Sequence, residues 1–448
     1  MQLHTLTATE ATRLIRRNEL SVVEYTQALV EQIKKTEPKI EAWESIDTDA
    51  AIEMAQALED KRKVKHPTQP LFGIPFGIKD LLHARGFPTC GNFKPWANKI
   101  QTEDSGVAQF LREAGGILVG KQVTTQWGTT DLPPTRNPWD LDRTPGGSSS
   151  GGGAAVGARQ VPFGIGTQAV VSNNRPAAYC GVMAIKPTFG RISRYGAVGG
   201  SWTQGHPGVI ARSVADLALV LGVLARHDPR DPFSAKQKDE NFVAAVNKPR
   251  VPRLAILTDL MERAEPNVRE AAQRAIVRLE EAGAEIREVK LPVPMETLAA
   301  THAILGAGDR ATAHLQLHAE HAEHYEPVIR SQLECGQLIP TPVYLHAARL
   351  RRRFRGQMLG MFEGGIDGLI APTASNLPPD RSSTGDSSFQ MPGTMFGFPI
   401  ASLPTEVGRE GLPHAVQIIS RPFQDRALLS YAAWCEQIFD PISMPPAI

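Results

Sequence analysis

The stretch Gly146-Gly147-Ser148-Ser149-Ser150-Gly151-Gly152-Gly153 governs the interpretation of this 448-residue chain. Eight residues of only two types form either a flexible linker or a backbone left open to something that approaches closely. Pro145 precedes the run, small residues that suit a helix start follow it, and a buried-strand pattern comes at 161–166. These flanks predict a tight turn inside a core. Backbone N–H groups there form an anion nest, and a serine hydroxyl there can react.

Two other segments supply partners for these serines. Ser172 lies 24 residues after Ser148, in the segment 166–181. Upstream, residues 73–80 read Gly-Ile-Pro-Phe-Gly-Ile-Lys-Asp and alternate as a strand, with large apolar side chains on one face and Lys79 on the other. A lysine that is denied water beside serines has a lowered pKa and can act as a base. We therefore expect Lys79 and the two serines to share one site.

These segments resemble those of the amidase signature family. The resemblance extends over nearly the whole chain and includes residues 134–140, 181–191 and the closing segment 397–404. It places the family's lysine, bridging serine and nucleophilic serine on Lys79, Ser148 and Ser172, a Ser-cisSer-Lys triad. It implies that neutral Lys79 takes a proton from Ser148 while Ser148 takes one from Ser172. Ser172 then forms an acyl-enzyme, and Ser148 returns the proton to the departing nitrogen, so no histidine is required.

The pattern of helices and strands predicts an α/β protein. Capping boxes at Thr7-x-x-Glu10 and Ser21-x-x-Glu24 begin two helices. Further on, predicted helices at 105–114, 213–224, 266–282 and near Arg426 alternate with predicted strands at 117–119, 254–257, 284–291, 368–371 and 415–419. Such alternation implies a largely parallel sheet covered on both faces. The family's fold agrees, being a large mixed, mostly parallel β-sheet between layers of α-helices. With no linker to divide it, residues 1–448 are expected to be one amidase domain.

The segment before the expected nucleophile departs from the family pattern. Ala169-Val170-Val171 stand where most members have Thr-Gly-Gly, whose backbone N–H groups form the oxyanion hole. Valine keeps its N–H group, but a β-branched side chain resists positive φ. Loss of one oxyanion donor costs roughly 3 to 4 kcal/mol of transition-state stabilisation. The sequence therefore leaves open whether this loop supports full activity.

Other residues point to a substrate that carries a carboxylate. The pattern G-T-Q-x-x-x-S-x-x-R-P-A resembles a malonamidase-like subgroup, in which the residues at Thr167 and Arg175 engage a substrate carboxylate. Arginine suits that task because its fork binds both oxygens. A structural ion pair inside the fold explains Arg175 equally well. Ser149, in a serine triplet, is also placed among the substrate-binding residues.

Composition restricts the partners. The net charge is +1, from 48 basic and 47 acidic residues, which gives no field for nucleic acid or an anionic membrane. No window approaches the ~20 apolar residues of a membrane helix. Four cysteines without C-x-x-C spacing indicate reduced thiols and a cytoplasmic protein.

Histidines recur between His314 and His324 at helical spacing, but interleaved glutamates favour a solvated helix face over a metal site. We expect no cofactor, no metal, a small-molecule amide as partner, and a chain compatible with a homodimer.

Three functions are compatible with these residues. The first is an amidohydrolase that cleaves the C–N bond of a small carboxamide and releases ammonia or an amine. The second, suggested by Ala169-Val170-Val171, is a weakened or silent homologue that serves in binding or assembly. The third is the amidase subunit of an amidotransferase, whose ammonia-releasing chemistry is the same as that of a free amidase.

Overall fold

The computed structural model describes residues 2–64, 66–442, 444–446 and 448. Its strands, numbered in chain order, are β1 Trp43–Ile46, β2 Pro75–Lys79, β3 Ile117–Gln122, β4 Phe163–Gln168, β5 Met183–Lys186, β6 His206–Ala211, β7 Arg253–Leu257, β8 Glu285–Val289, β9 Gly368–Pro372, β10 Ile400–Val407 and β11 Pro413–Ile419. They form one sheet in the order β1-β3-β2-β4-β6-β5-β10-β11-β9-β7-β8.

Helices cover this sheet. They are α1 Ala8–Arg16, α2 Val22–Ile40, α3 Thr48–Val64, α4 Gly106–Glu113, α5 Ser150–Gly157, α6 Asn174–Tyr179, α7 Val214–Leu224, α8 Phe242–Val246, α9 Thr258–Arg263, α10 Pro266–Glu281, α11 Met295–His321, α12 Pro327–Gln337, α13 Thr341–Gly360, α14 Met391–Thr394 and α15 Asp425–Glu436. Both expected capping boxes are present, at the start of α1 and of α2. The α/β class and the mixed sheet between helices are thereby confirmed.

The expected predominance of parallel pairing is wrong. Among the described strands, four neighbouring pairs are parallel and six are antiparallel. The sequence patterns predicted no strand at β5, β6 or β10, and these three strands make four of the antiparallel pairs. They are inconspicuous because β5 has only four residues and β6 contains Pro207 and Gly208. One of these pairs, between β5 and β10, joins distant parts of the chain.

The two faces of the sheet carry separate apolar cores. In β9, Ile370 packs into the larger core, whereas Leu369 and Ala371 pack into a second core on the opposite face. In β10, Ala401 packs into the larger core and Ile400 packs into the second core. This division follows from the alternation of side chains along a strand. A sheet buried on both faces gives the rigid edge on which the site is built.

The Gly/Ser run is part of the core and not a linker. Its second half begins α5, all of whose residues are buried. A Cβ on Gly151 would lie 2.1 Å from the carbonyl oxygen of Ala42, and one on Gly153 would lie 2.7 Å from that of Pro176. Only glycine permits this approach of backbone to backbone. The helix therefore fixes the position of the serines that precede it.

Two further features concern membrane-spanning helices and the cysteines. No helix in the described part of the chain combines the length and the apolar character needed to cross a bilayer. Cys90, Cys180 and Cys435 are buried, but Cys335 on α12 is exposed.

Candidate active site

The site lies where three neighbouring parallel strands end. Strand β2 lies between β3 and β4 and runs parallel to both, so the carboxyl ends of all three strands meet at one edge. Lys79 is the last residue of β2. The loop after β3 carries Trp127, and the loop after β4 carries Ser172. Loops at the carboxyl ends of parallel strands are the usual place for ligands in such sheets.

Lys79 and Ser148 are in direct contact. The Nζ atom of Lys79 lies 2.6 Å from the Oγ atom of Ser148, and both side chains are almost completely buried. Burial without a compensating carboxylate holds the pKa of Lys79 well below its ordinary value. The amine is therefore available as a neutral base. The peptide bond between Gly147 and Ser148 is cis.

A second buried lysine shows what Lys79 lacks. Lys121, on the adjacent strand β3, lies 2.8 Å from Oδ1 of Asp80, and both side chains are fully buried. It also donates to Oγ1 of Thr89 and to the carbonyl of Pro88. Burial lowers the pKa of Lys121, but the carboxylate of Asp80 opposes that shift. Lys121 is therefore an ion-pair partner, whereas Lys79 is a desolvated amine beside a hydroxyl.

Ser172 faces the same cavity as Ser148. Both residues line an open cavity of about 840 Å³. Among the described residues, no hydrogen bond joins the two hydroxyl groups, and such catalytic contacts often tighten only when substrate binds. The backbone of Ser172 is anchored, because its carbonyl accepts from the N–H group of Ser149 at 3.0 Å. The two serines thus share a cavity and a backbone connection.

Three of the four carbonyl groups in the segment from Gln168 to Val171 accept hydrogen bonds. In a trans peptide the N–H group points opposite to the C=O group, so an anchored carbonyl also orients the next N–H group. The acceptors and their donors are Gln168 O with Nδ1 of His206 at 3.2 Å, Val170 O with Oγ1 of Thr394 at 2.7 Å, and Val171 O with the N–H group of Arg175 at 2.9 Å.

The N–H groups of this segment are left open. Those of Ala169, Val170, Val171 and Ser172 donate to no acceptor within the described residues. None of residues 169–171 has positive φ, so the valines are not strained. Donors without acceptors beside a nucleophile are the composition of an oxyanion hole. Of these four residues, Ala169 and Ser172 line the cavity, and the role of the segment as an oxyanion hole stays a prediction.

The amide of Gln168 holds this loop in place. Its Oε1 atom accepts from the N–H groups of Asn173 and Asn174, each at 3.0 Å. Its Nε2 atom donates to Gln390 and to Thr394. All four hydrogen-bonding positions of the amide are used. A network of neutral amide groups thus holds the loop.

The expected substrate-binding residues are found in different places. Thr167 lines the cavity. Ser149 is buried, and its Oγ atom bonds to the backbone of Thr167 on β4. Arg175 is fully buried and does not line the cavity; its guanidinium donates to the carbonyls of Gly147, Gly385 and Asp386. It forms no ion pair among the described residues, so the structural ion pair is not its observed environment, and its contact with a substrate carboxylate stays a prediction.

One cavity wall went unrecognised in the sequence. It is built from the loop after β3 and from α11, and with neighbouring segments it contributes Leu81, Trp96, Trp127, Trp202, His314 and Leu317. The interpretation of the histidine run as a solvated face is wrong for His314, which is 4% exposed and packs against Trp127 at 4.9 Å. The described residues contain no group of three or more side chains suited to a metal ion. No local sequence signal indicated this wall, because it depends on β3 lying beside β2 in the assembled sheet.

The fold brings a buried lysine and two serines to one cavity, and the comparisons show the family to which the chain belongs. The Amidase family matches residues 24–429. The chain is 32% identical to a glutamyl-tRNA(Gln) amidotransferase subunit of Moorella thermoacetica, covering 98% of this chain and 97% of that protein. It has the same identity and coverage with the corresponding subunit of Chloroflexus aggregans. The chain therefore belongs to the amidase family and is an amidase by class.

Solved structures agree with this assignment. A protein from a vestigial complex that reveals the evolutionary origins of an s-triazine catabolic enzyme has a TM-score of 0.91 at 27% identity, over 98% of this chain and all of that one. The 6-aminohexanoate cyclic dimer hydrolase has a TM-score of 0.89 at 25% identity, over the full length of both chains. The family expected from the sequence is thus confirmed, whereas its malonamidase-like subgroup stays a prediction.

Proposed function

We propose that the chain cleaves the C–N bond of a carboxamide through an acyl-enzyme on Ser172. The Oγ atom of Ser172 attacks the carbonyl carbon while its proton passes to Ser148, whose own proton passes to Nζ of Lys79. The N–H groups of residues 169–172 stabilise the oxyanion. When the C–N bond breaks, Ser148 donates a proton to the departing nitrogen and Lys79 reprotonates Ser148. Water then hydrolyses the ester by the same relay.

One observation carries this proposal. Nζ of Lys79 lies 2.6 Å from Oγ of Ser148, with no carboxylate bonded to the amine among the described residues. Burial of an amine without a charged partner is costly, and Lys121 avoids that cost by pairing with Asp80, whereas Lys79 has only the hydroxyl of Ser148. An unpaired amine beside a hydroxyl is suited to proton transfer.

The test is covalent labelling of the purified full-length chain. We expect a fluorophosphonate probe to label Ser172, and hydroxylamine with a panel of primary carboxamides to give hydroxamates. Ser172→Ala should abolish both signals. Ser150→Ala is the matched control, because Ser150 is a buried serine of the same region whose hydroxyl bonds to the carbonyl of Gly146, outside the cavity lining. Wild-type chain that neither labels nor turns over, or a Ser172→Ala variant that keeps either signal, would contradict the proposal.

For the setting of this chemistry, we infer that the chain is the amide-hydrolysing component of an amidotransferase-type assembly. The support is the 32% identity, over 98% of the chain, to subunits of glutamyl-tRNA(Gln) amidotransferases. In such an assembly the released ammonia is passed to an acceptor, and the relatives' name suggests glutamyl-tRNA(Gln). A free amidohydrolase of small carboxamides is the second candidate, favoured by the likeness to 6-aminohexanoate cyclic dimer hydrolase.

The destination of the released nitrogen distinguishes the amidotransferase component from the free amidohydrolase. The chain is purified under native conditions from its own cells and supplied with amide-15N-labelled carboxamides, among them glutamine and asparagine, with and without glutamyl-tRNA(Gln). We expect a stoichiometric partner to co-purify and 15N to appear on the acceptor. If the isolated chain releases all of the nitrogen to bulk solvent at the same rate with or without companions, the free amidohydrolase is correct and the role in an assembly is wrong.

A further inference from the structure

We propose that His206 is a positioning residue of the oxyanion hole, and that its imidazole acts by fixing the peptide group between Gln168 and Ala169. The inference rests on the proposed function, because an oxyanion hole has a task only if Ser172 attacks a carbonyl group. It holds for either setting of that chemistry, since it does not depend on the destination of the released nitrogen. Its basis is a hydrogen bond at the point where β4 leaves the sheet.

The ring of His206 bonds to the backbone of the neighbouring strand. His206 begins β6 and lies opposite Gln168, the last residue of β4, in the antiparallel ladder. Its Nδ1 atom lies 3.2 Å from the carbonyl oxygen of Gln168. A carbonyl oxygen can only accept, so Nδ1 carries the proton and donates. Burial holds the pKa of His206 well below its ordinary value, so the ring is neutral and its single proton points at this carbonyl.

The surroundings of the imidazole hold it in place. His206 is 2% exposed, and the ring of Phe189 meets it edge-on with 5.1 Å between the centroids. Phe189 is itself held, because its N–H group donates to the carbonyl of Gly397 at 3.1 Å and the guanidinium of Arg194 lies over its ring at 4.8 Å. A side chain locked by packing in this way can support the geometry of a catalytic group.

An anchored carbonyl at Gln168 directs the next N–H group. The peptide bonds of this loop are trans, so the N–H group of Ala169 points opposite to that carbonyl and away from the imidazole. This N–H group has no acceptor among the described residues. Within residues 169–172, Ala169 and Ser172 line the cavity. The N–H group that His206 orients therefore belongs to a cavity-lining residue three positions before the nucleophile.

The other side-chain anchors of the loop act at different atoms. The hydroxyl of Thr394 donates to the carbonyl of Val170, and the side-chain amide of Gln168 accepts from N–H groups that follow Ser172. The pair of Gln168 and His206 is the last of its ladder, and ladder ends open more readily than ladder centres. Loss of the imidazole should thus leave the loop in place and free the orientation of its first peptide group.

The test compares asparagine and leucine at position 206, because the two side chains have nearly the same shape and only asparagine carries a donor near the place of Nδ1. The readouts are kcat and KM for the primary carboxamide that the wild type hydrolyses fastest, and the limiting rate at which a small alkyl fluorophosphonate labels Ser172. Both rates are expressed per site that the probe finally labels, so misfolded chains are not counted. We expect His206→Leu to lower both rates roughly 10- to 100-fold with KM changed less than about 2-fold. His206→Asn should restore both rates to within about 3-fold of wild type.

His414 provides the matched control. It is another buried histidine, 5% exposed, on β11 and outside the cavity lining. His414→Leu should lower stability without changing kcat, KM or the labelling rate. His206→Ala, which also lacks the donor, repeats the comparison if His206→Leu does not fold.

Three results would overturn the inference. They are wild-type rates in the variants without the donor, equal losses in the leucine and asparagine variants, and a raised KM with unchanged kcat, which would mean that His206 contacts the substrate. Failure of the proposed function looks different, because wild-type Ser172 then does not label at all and the inference falls with it.

Discussion

At the scale of single residues, two buried lysines on neighbouring strands have different partners. Lys79 has no carboxylate partner among the described residues, whereas Lys121 is paired with Asp80 at 2.8 Å. We expect Lys79→Met to abolish amide hydrolysis and to leave the thermal midpoint equal or higher, because a poorly solvated amine is replaced by an apolar side chain of similar length. Lys121→Met should instead cost about 3–5 kcal/mol, because it leaves the carboxylate of Asp80 buried and unpaired. Activity assays and denaturant titration of both variants check this; a strongly destabilised Lys79→Met would show that Lys79 is structural.

The same residue predicts how activity and stability depend on pH. The pKa of Lys79 is lowered by burial, so the neutral base is present above its folded pKa, and activity should rise with pH through that value and then level off well below pH 10.5. Between the folded pKa and 10.5, the unfolded chain binds one more proton than the folded chain, so the free energy of unfolding rises with pH. Lys79→Met should lose this slope, while Lys186, whose burial lowers its pKa to about 7, contributes equally to both proteins. Identical slopes in wild type and variant would contradict the assignment of a neutral Lys79.

At the scale of elements, the loop between β4 and α6 accommodates two consecutive valines without backbone strain. Val170 and Val171 have no positive φ, and Val171 is 3% exposed. Val170→Gly with Val171→Gly should therefore create no new activity. The double change should lower the free energy of unfolding by roughly 2–4 kcal/mol, through lost packing and added backbone entropy, and should reduce kcat by loosening the donors. Chemical denaturation and kcat on one amide test this. An increase in kcat would show that the valines had narrowed the oxyanion hole.

Arg175 connects three segments of the chain. Replacing it distinguishes a role in stabilising the fold from a role in binding a substrate carboxylate. Its guanidinium donates to backbone carbonyls before Ser148 and at 385–386, and it does not line the cavity. We expect Arg175→Ala to destabilise the fold by roughly 3 kcal/mol or more, since hydrogen bonds to a charged group are lost and buried carbonyls are left unsatisfied. Losses in kcat/KM should be equal for neutral and carboxylate-bearing amides. A rise in KM for the carboxylated substrates alone would show that Arg175 binds substrate.

At the scale of the whole molecule, local patterns predicted much of the site and less of the sheet. Lys79 ends a strand with clear alternation, and the glycine run marks Ser148, so both could be recognised from a few adjacent residues. Strand β5 has four buried residues without an alternating pattern, and one of its two partners, β10, lies far away in the sequence, so nothing local indicates that pairing. Trp127 was missed for the same reason. Trp127 lies in the cavity wall because β3, which precedes it, is the neighbour of β2, and only the assembled sheet determines that.

A continuous sheet also predicts how the molecule unfolds. We propose that residues 1–448 form one domain, because the described strands join into a single sheet and its two cores lie on opposite faces of the same strands. Cooperative unfolding should then give one calorimetric transition whose measured enthalpy equals the van't Hoff enthalpy. Far-UV and near-UV signals should change together. Two resolved transitions, or a stable fragment after limited proteolysis, would show that the chain divides into separate folding units.

The contacts of Arg175 have a consequence for motion. Arg175 lies three residues after Ser172, its backbone N–H group bonds to the carbonyl of Val171, and its guanidinium bonds to the carbonyl of Gly147. Arg175 thus bonds to a peptide group beside each of the two serines. We therefore predict that a displacement of the buried helix α6 moves both serines together and changes the distance between them little.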